Sequence, residues 1–184
     1  GEKAWKKTRN KVSKTVENIA EELADIYAER KARKGFAFPA DDLEMQKFEL
    51  RFEFEETPDQ LDVISSVKSD MEKEMPMDRL VCGDVGFGKT EIAMRASFKA
   101  VQNEKQVAFL VPTTILAQQH FETFCRRFKD TPFIIDVISR FRTIAEQKKI
   151  IKRMQEGKID VLIGTHRMLS TDVKFKKLGL LVVD

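Results

Sequence analysis

Residues 83 to 90 read Gly-Asp-Val-Gly-Phe-Gly-Lys-Thr. The octet fits G-x-x-x-x-G-K-[ST], a loop that needs a strand before it and a helix after it. Gly83, Gly86 and Gly88 lack side chains, so the backbone can turn tightly and aim its N–H groups at phosphate oxygens. Asp84, Val85 and Phe87 fill the spacing between them. Lys89 brings a cation to the β and γ phosphates, Thr90 offers a hydroxyl to Mg²⁺, and Glu91 opens the helix whose positive end faces the same anion. The flanks agree with this reading. Asp78 to Cys82 is a short apolar run that predicts a buried strand, with Cys82 packed inside it. Glu91 to Ala100 predicts a helix, with Ile92, Ala93, Ala96 and Ala100 at helical spacing. A nucleoside triphosphate with its Mg²⁺ is the ligand such a loop takes.

From Arg79 onward, apolar runs alternate with helical stretches. Strands are expected at 79–82, 106–111, 133–138, 159–163 and 179–183, and helices at 89–102, 115–128 and 143–156. That alternation predicts an α/β fold, with a mostly parallel sheet flanked by helices. Right-handed crossovers then bring the loops that follow the strands to one edge.

A different pattern precedes this unit. Val12, Val16, Ile19, Leu23 and Ile26 step by four and three, which predicts one long helix over residues 4 to about 34, ended by Gly35. It reads either as a solvated amphipathic helix or as a connector. Residues 36–56 form an acidic junction rich in phenylalanine, with Asp41 as the cap of a short helix through about Phe48. Thr57-Pro58-Asp59-Gln60 is a helix start in which Gln60 completes a capping box, and that helix is expected to run to about Glu74.

Charge is uneven along the chain. Residues 35–78 carry 4 basic and 13 acidic side chains, whereas residues 79–184 carry 19 basic and 11 acidic. A basic half that also holds the phosphate loop suits a polyanion such as DNA or RNA, and is equally compatible with a solvated lysine surface. No apolar stretch approaches the ~20 residues of a membrane span. Two cysteines, Cys82 and Cys125, make no disulfide or metal pattern, and no signal segment opens the sequence, so a reduced, cytoplasmic protein is expected.

Three further loops are expected at the sheet edge. Thr113 and Thr114 follow the second expected strand and start a helix. Ser139-Arg140-Phe141-Arg142 follows the third, and Gly164-Thr165-His166 the fourth. Hydroxyls, helix starts and arginines in a row suit backbone phosphates contacted without sequence readout.

Gly-Asp-Val-Gly-Phe-Gly-Lys-Thr, Pro-Thr-Thr-Ile-Leu-Ala-Gln-Gln-His, Ile-Gly-Thr-His and Leu-Gly-Leu-Leu-Val-Val-Asp resemble motifs I, Ia, Ib and the start of II of the superfamily 2 helicases, in order and in spacing. Within that superfamily the chain resembles the bacterial transcription-repair coupling factors. The stretch at 25 to 38, Ser-Arg-Phe-Arg and Pro-Met-Asp-Arg-Leu favour them over the RecG-like branched-DNA helicases. The resemblance implies a RecA-like first motor lobe over 57–184, a relay-type helix over 1–35 and a junction between them. It implies ATP and Mg²⁺ as cofactors and double-stranded DNA as partner, with RNA polymerase and UvrA bound through regions outside this chain. Gln60 resembles the adenine-recognising glutamine, with Phe52 or Phe54 near the base. Lys89 and Asp184 would be catalytic, and Thr90 and Asp184 would hold Mg²⁺. Thr113, Thr114, Arg140, Arg142, Thr165 and His166 would track the DNA backbone. The family's catalytic glutamate follows the residue matched by Asp184, and further arginines come from a second lobe. The sequence therefore reads as a fragment expected to bind nucleotide and to hydrolyse little.

Overall fold

The computed structural model describes the backbone of residues 2–184, and the side chains of Trp5 and of residues 12–184. Helix α1 spans Glu2–Ala32, α2 Leu43–Leu50, α3 Pro58–Met71 and α4 Lys89–Gln102. Strand β1 (Gln106–Leu110), α5 (Thr114–Arg127), β2 (Ile135–Ile138), α6 (Ile144–Glu156) and β3 (Val161–Gly164) follow. A short 3₁₀ turn, His166–Leu169, leads to β4, Leu178–Val183.

The four strands form one sheet in the order β2-β3-β1-β4, and every pairing is parallel. Alternation along β1 separates two cores. Val107 and Phe109 join Val161, Ile163 and Leu180 under α3, α4 and α5, whereas Ala108 joins Ile138 and Leu162 under α6. This is the expected α/β fold with helices on both faces.

Termini of the helices follow from local chemistry. Thr57 and Gln60 make the expected capping box, and Thr143 with Glu146 makes a second one at α6. Helix α3 stops at Met71, short of Glu74. Asp42, not Asp41, caps α2 by accepting from Met45 N. Asp41 instead accepts from Lys99 Nζ at 2.7 Å and pairs with Lys68 at 2.6 Å.

The expected strand at 79–82 does not form. The segment is unpaired, Leu80 is 86% exposed, and Cys82, placed in a buried strand by its sequence, is exposed. A strand needs a neighbour for its N–H and C=O groups. Across a cavity of about 190 Å³ lie 79–81 on one side and Leu180 to Asp184 on the other. Among the described residues no strand fills that gap, so β4 is an edge strand, with Leu181 54% and Val183 68% exposed.

The acidic junction is bound to the P-loop helix by buried charge. Arg95, 3% exposed, donates Nε to Glu91 at 2.9 Å and Nη2 to Glu56. Lys99 donates to Asp41, Glu72 (2.8 Å) and Pro39 O. Phe48 stacks on Phe98 at 4.1 Å between centroids. Helix α1 is joined to the remainder by the pair of Arg30 with Asp78, and Lys34, just beyond its end, pairs with Glu74. Its apolar stripe, Val12 to Ile26, is about half exposed. The basic side chains of Lys3, Lys6, Lys7, Arg9 and Lys11 lie outside the described residues. Among the described residues no helix is long and apolar enough to cross a membrane.

Candidate nucleotide site and sheet edge

Helix α4 is built differently from its neighbours at its N-terminus. Thr57, Thr113 and Thr143 cap α3, α5 and α6 with side-chain oxygens, but Gly88 caps α4 with none. Gly88 has φ 83° and Gly86 φ 87°, a left-handed backbone that strains any residue with a Cβ. The uncapped first turn leaves amide N–H groups and the positive end of a 14-residue helix facing the loop. Lys89 Nζ donates to Gly83 O at 2.5 Å and to Asp84 O at 2.9 Å, which holds the ammonium over that loop. Asp84, Val85 and Gly86 are exposed, while Phe87 is half-buried against the core.

Gln60 is engaged at both ends. Its Oε1 accepts from Thr57 N at 2.8 Å, and its Nε2 donates to Phe87 O. The capping box of α3 and the phosphate loop are thereby tied together through one side chain. The Glu91 carboxylate does not face the loop: it is buried, accepting from Arg95 and from Arg127 Nη2 at 2.8 Å.

Lys89, Thr90 and Asp184 line the same cavity. One hydroxyl and one carboxylate suit Mg²⁺ that arrives on a phosphate chain, since Mg²⁺ keeps several waters and takes few protein ligands. No cluster of three or more His, Cys, Asp or Glu among the described residues would cage a metal alone. The residues therefore fit a nucleotide-borne cation.

The remaining expected residues lie along the carboxyl edge. In register, Ile138 pairs with Gly164, Gly164 with Leu110, and Leu110 with Val183. Ser139 to Arg142, Thr165 with His166, Thr113, and Asp184 thus follow one another across the edge. At ~4.8 Å per strand the row is about 14 Å long. Arg140 is exposed, with its guanidinium 6.0 Å from the Phe141 ring. Arg142 pairs weakly with Glu146 at 3.7 Å. Thr165 makes no side-chain cap bond, and His166 is exposed. Thr113 is used as the α5 cap, accepting from Leu116 N at 3.2 Å. Thr114, the first residue of α5, is 8% exposed.

Two features escaped sequence reasoning. Arg127, half-buried with its guanidinium over the Phe48 ring, pairs with Glu91, the carboxylate that Arg95 also holds. His120 Nε2 lies 2.9 Å from Asp184 Oδ2. A signal for the second existed: Ala117, His120 and Phe124 form the buried stripe of α5, and a lone polar residue on such a stripe needs a partner.

Residues 57–184 match the family model described as DEAD/DEAH box helicase. Over its whole length the chain is 58% identical to the transcription-repair-coupling factor of Escherichia coli, 56% to that of Haemophilus influenzae and 54% to that of Bacillus subtilis. It spans 16% of the length of each of these relatives. Among solved structures, RecG bound to a three-way DNA junction superposes with a TM-score of 0.79 at 35% identity, covering 85% of this chain and 22% of that one. The phosphate loop, the parallel sheet that carries it and the matched span agree: the chain belongs to the DEAD/DEAH box helicase family.

Proposed function

We propose that residues 57–184 are the first motor lobe of an ATP-driven translocase on double-stranded DNA, and that the whole protein removes stalled RNA polymerase and couples transcription to repair. Similarity along the whole of this chain to transcription-repair-coupling factors, at 54–58% identity, supports that choice over a branched-DNA helicase at 35%. RNA polymerase and UvrA would be engaged by regions outside this chain, in the cytoplasm.

The observation that carries the reading is the division of the sheet edge. Lys89, Thr90 and Asp184 meet beyond β4, while Arg140, Thr165, His166 and Thr113 occupy the ends of β2, β3 and β1. In this reading the N-terminus of α4 and Lys89, released from its loop carbonyls, would hold the β and γ phosphates of ATP. Thr90 and Asp184 would hold Mg²⁺, which would supply charge neutralisation. The base would lie toward Phe52 and Phe54, which line a second cavity of about 380 Å³ with Glu91. DNA phosphates run past the exposed arginine and hydroxyls without base contacts.

Hydrolysis by this chain is expected to be slow. The described cations lining the catalytic cavity are Lys89 and Arg79, and Arg79 is paired with Asp70. Among the described lining residues the carboxylate is that of Asp184, which in this reading is taken up by Mg²⁺. An added arginine is worth roughly 10³ to 10⁵ in phosphoryl transfer. Phosphate release with labelled duplexes of several sequences tests the reading. Sequence-independent DNA binding with little turnover is expected; fast turnover by this chain, or preference for one sequence, would contradict it.

A further inference from the structure

Asp184 does not stand alone at the end of β4. Its backbone N–H continues the ladder by donating to Leu110 O at 2.9 Å, which fixes where the residue sits. Its side chain, 37% exposed, would rotate freely about χ1 without a partner. The partner is His120, on the buried face of α5, with 10% of its side chain exposed. A carboxylate oxygen only accepts, so Nε2 carries the proton in this contact. The imidazole is itself held: its ring lies 4.9 Å from that of Phe109, tilted by 43°, and Phe109 is 1% exposed in the middle of β1. A rigid strand thus holds a ring, and the ring holds one carboxylate oxygen.

We infer that His120 is a positioning residue for Asp184, fixing Oδ2 through Nε2–H so that Oδ1 is left toward the cavity that Lys89 and Thr90 line. The inference rests on the nucleotide reading given above. Its physical content is preorganisation. A carboxylate already in place spends no rotamer freedom when a nucleotide-borne cation arrives, and partners of this kind typically change metal affinity by about 10- to 100-fold. Nothing passes through the histidine; it touches neither nucleotide nor metal.

The test compares His120→Phe, which keeps the ring against Phe109 but removes the donor, with His120→Gln, whose amide N–H can replace it. Binding of a fluorescent ATP analogue is measured with Mn²⁺ and in EDTA, and the Mn²⁺ environment is read by electron paramagnetic resonance. In His120→Phe, binding with Mn²⁺ should weaken about tenfold, with a broadened Mn²⁺ spectrum and with EDTA binding and melting temperature unchanged. His120→Gln should recover most of the loss. On an Asp184→Asn background, where the acceptor is already altered, His120→Phe should have no further effect. Equal Mn²⁺ affinity in wild type and His120→Phe overturns the inference alone, as does a stable His120→Gln that stays as impaired as His120→Phe. Should His120→Phe fail to fold, His120→Met, which also lacks the donor, takes its place with the same expected and overturning results. Wild type that binds the analogue equally with and without Mn²⁺ also removes it, leaving nucleotide binding standing. Wild type that does not bind the analogue at all removes both readings.

Discussion

Lys89 is the first residue of α4, and two loop carbonyls hold its ammonium in place. Lys89→Ala should abolish binding of ATP while leaving circular dichroism and the melting temperature unchanged, because the side chain is not part of the core. Normal ATP affinity in that variant would remove the phosphate-loop assignment. Arg95 is the opposite case, 4% exposed by side chain and facing Glu91, Glu49 and Glu56. Removing one member of a buried ion group leaves uncompensated charge, so Arg95→Ala should destabilise by about 3 kcal/mol in urea; a loss under about 1 kcal/mol would mean water already solvates these carboxylates. The turn at Gly86 and Gly88 and the start of α4 at Lys89 were legible, because the spacing of the octet encodes its own local geometry. The His120 contact was not, since it joins positions 64 residues apart. The destination of Glu91 was hidden for the same reason: its second partner lies 36 residues away, on α5.

At the scale of elements, β1, α4 and β4 fell close to where periodicity put them, because apolar spacing reports local conformation directly. The segment 79–82 shows where that reasoning ends. Its apolar run is there, but pairing is a property of two segments, and the gap between it and β4 is not written in either one. The edge loops give the test at this scale. Arg140 and Arg142 follow β2 on the far side of the sheet from the phosphate loop. Replacing both by Ala should weaken duplex binding alike for all sequences. It should also reduce the slope of log affinity against log salt by about 2, since each DNA phosphate that a side chain neutralises adds about 0.9 to that slope. A loss confined to one sequence would contradict backbone tracking.

For the molecule as a whole, the asymmetry of charge finds its use in packing. The acidic stretch does not remain a solvated tail: Asp41, Glu49 and Glu56 reach across to Lys68, Lys99 and Arg95. The counts alone could not show which charges would meet. Burial raises the Asp41 carboxyl, but the hydrogen bonds and charge of Lys68 and Lys99 outweigh it and hold the group below its ordinary range. The hydrogen bond from Arg95 does the same for Glu56. Because these groups bind protons less readily folded than unfolded, their contribution is present above the unfolded values, about 4, and is lost as pH falls through the depressed ones. Urea midpoints should therefore drop between about pH 5 and pH 3, and less so in Lys68→Met; a flat profile would mean the pairs contribute little. Each role given to Lys89, Thr90 and Asp184 requires one site that binds a triphosphate with its cation. Calorimetric titration of Mg²⁺-ATP into the wild-type chain, beside Lys89→Ala, tests that most directly. A single saturable site, lost in the variant and weakened in EDTA, is the expected result; no heat from wild type, or equal binding by both proteins, would contradict the account.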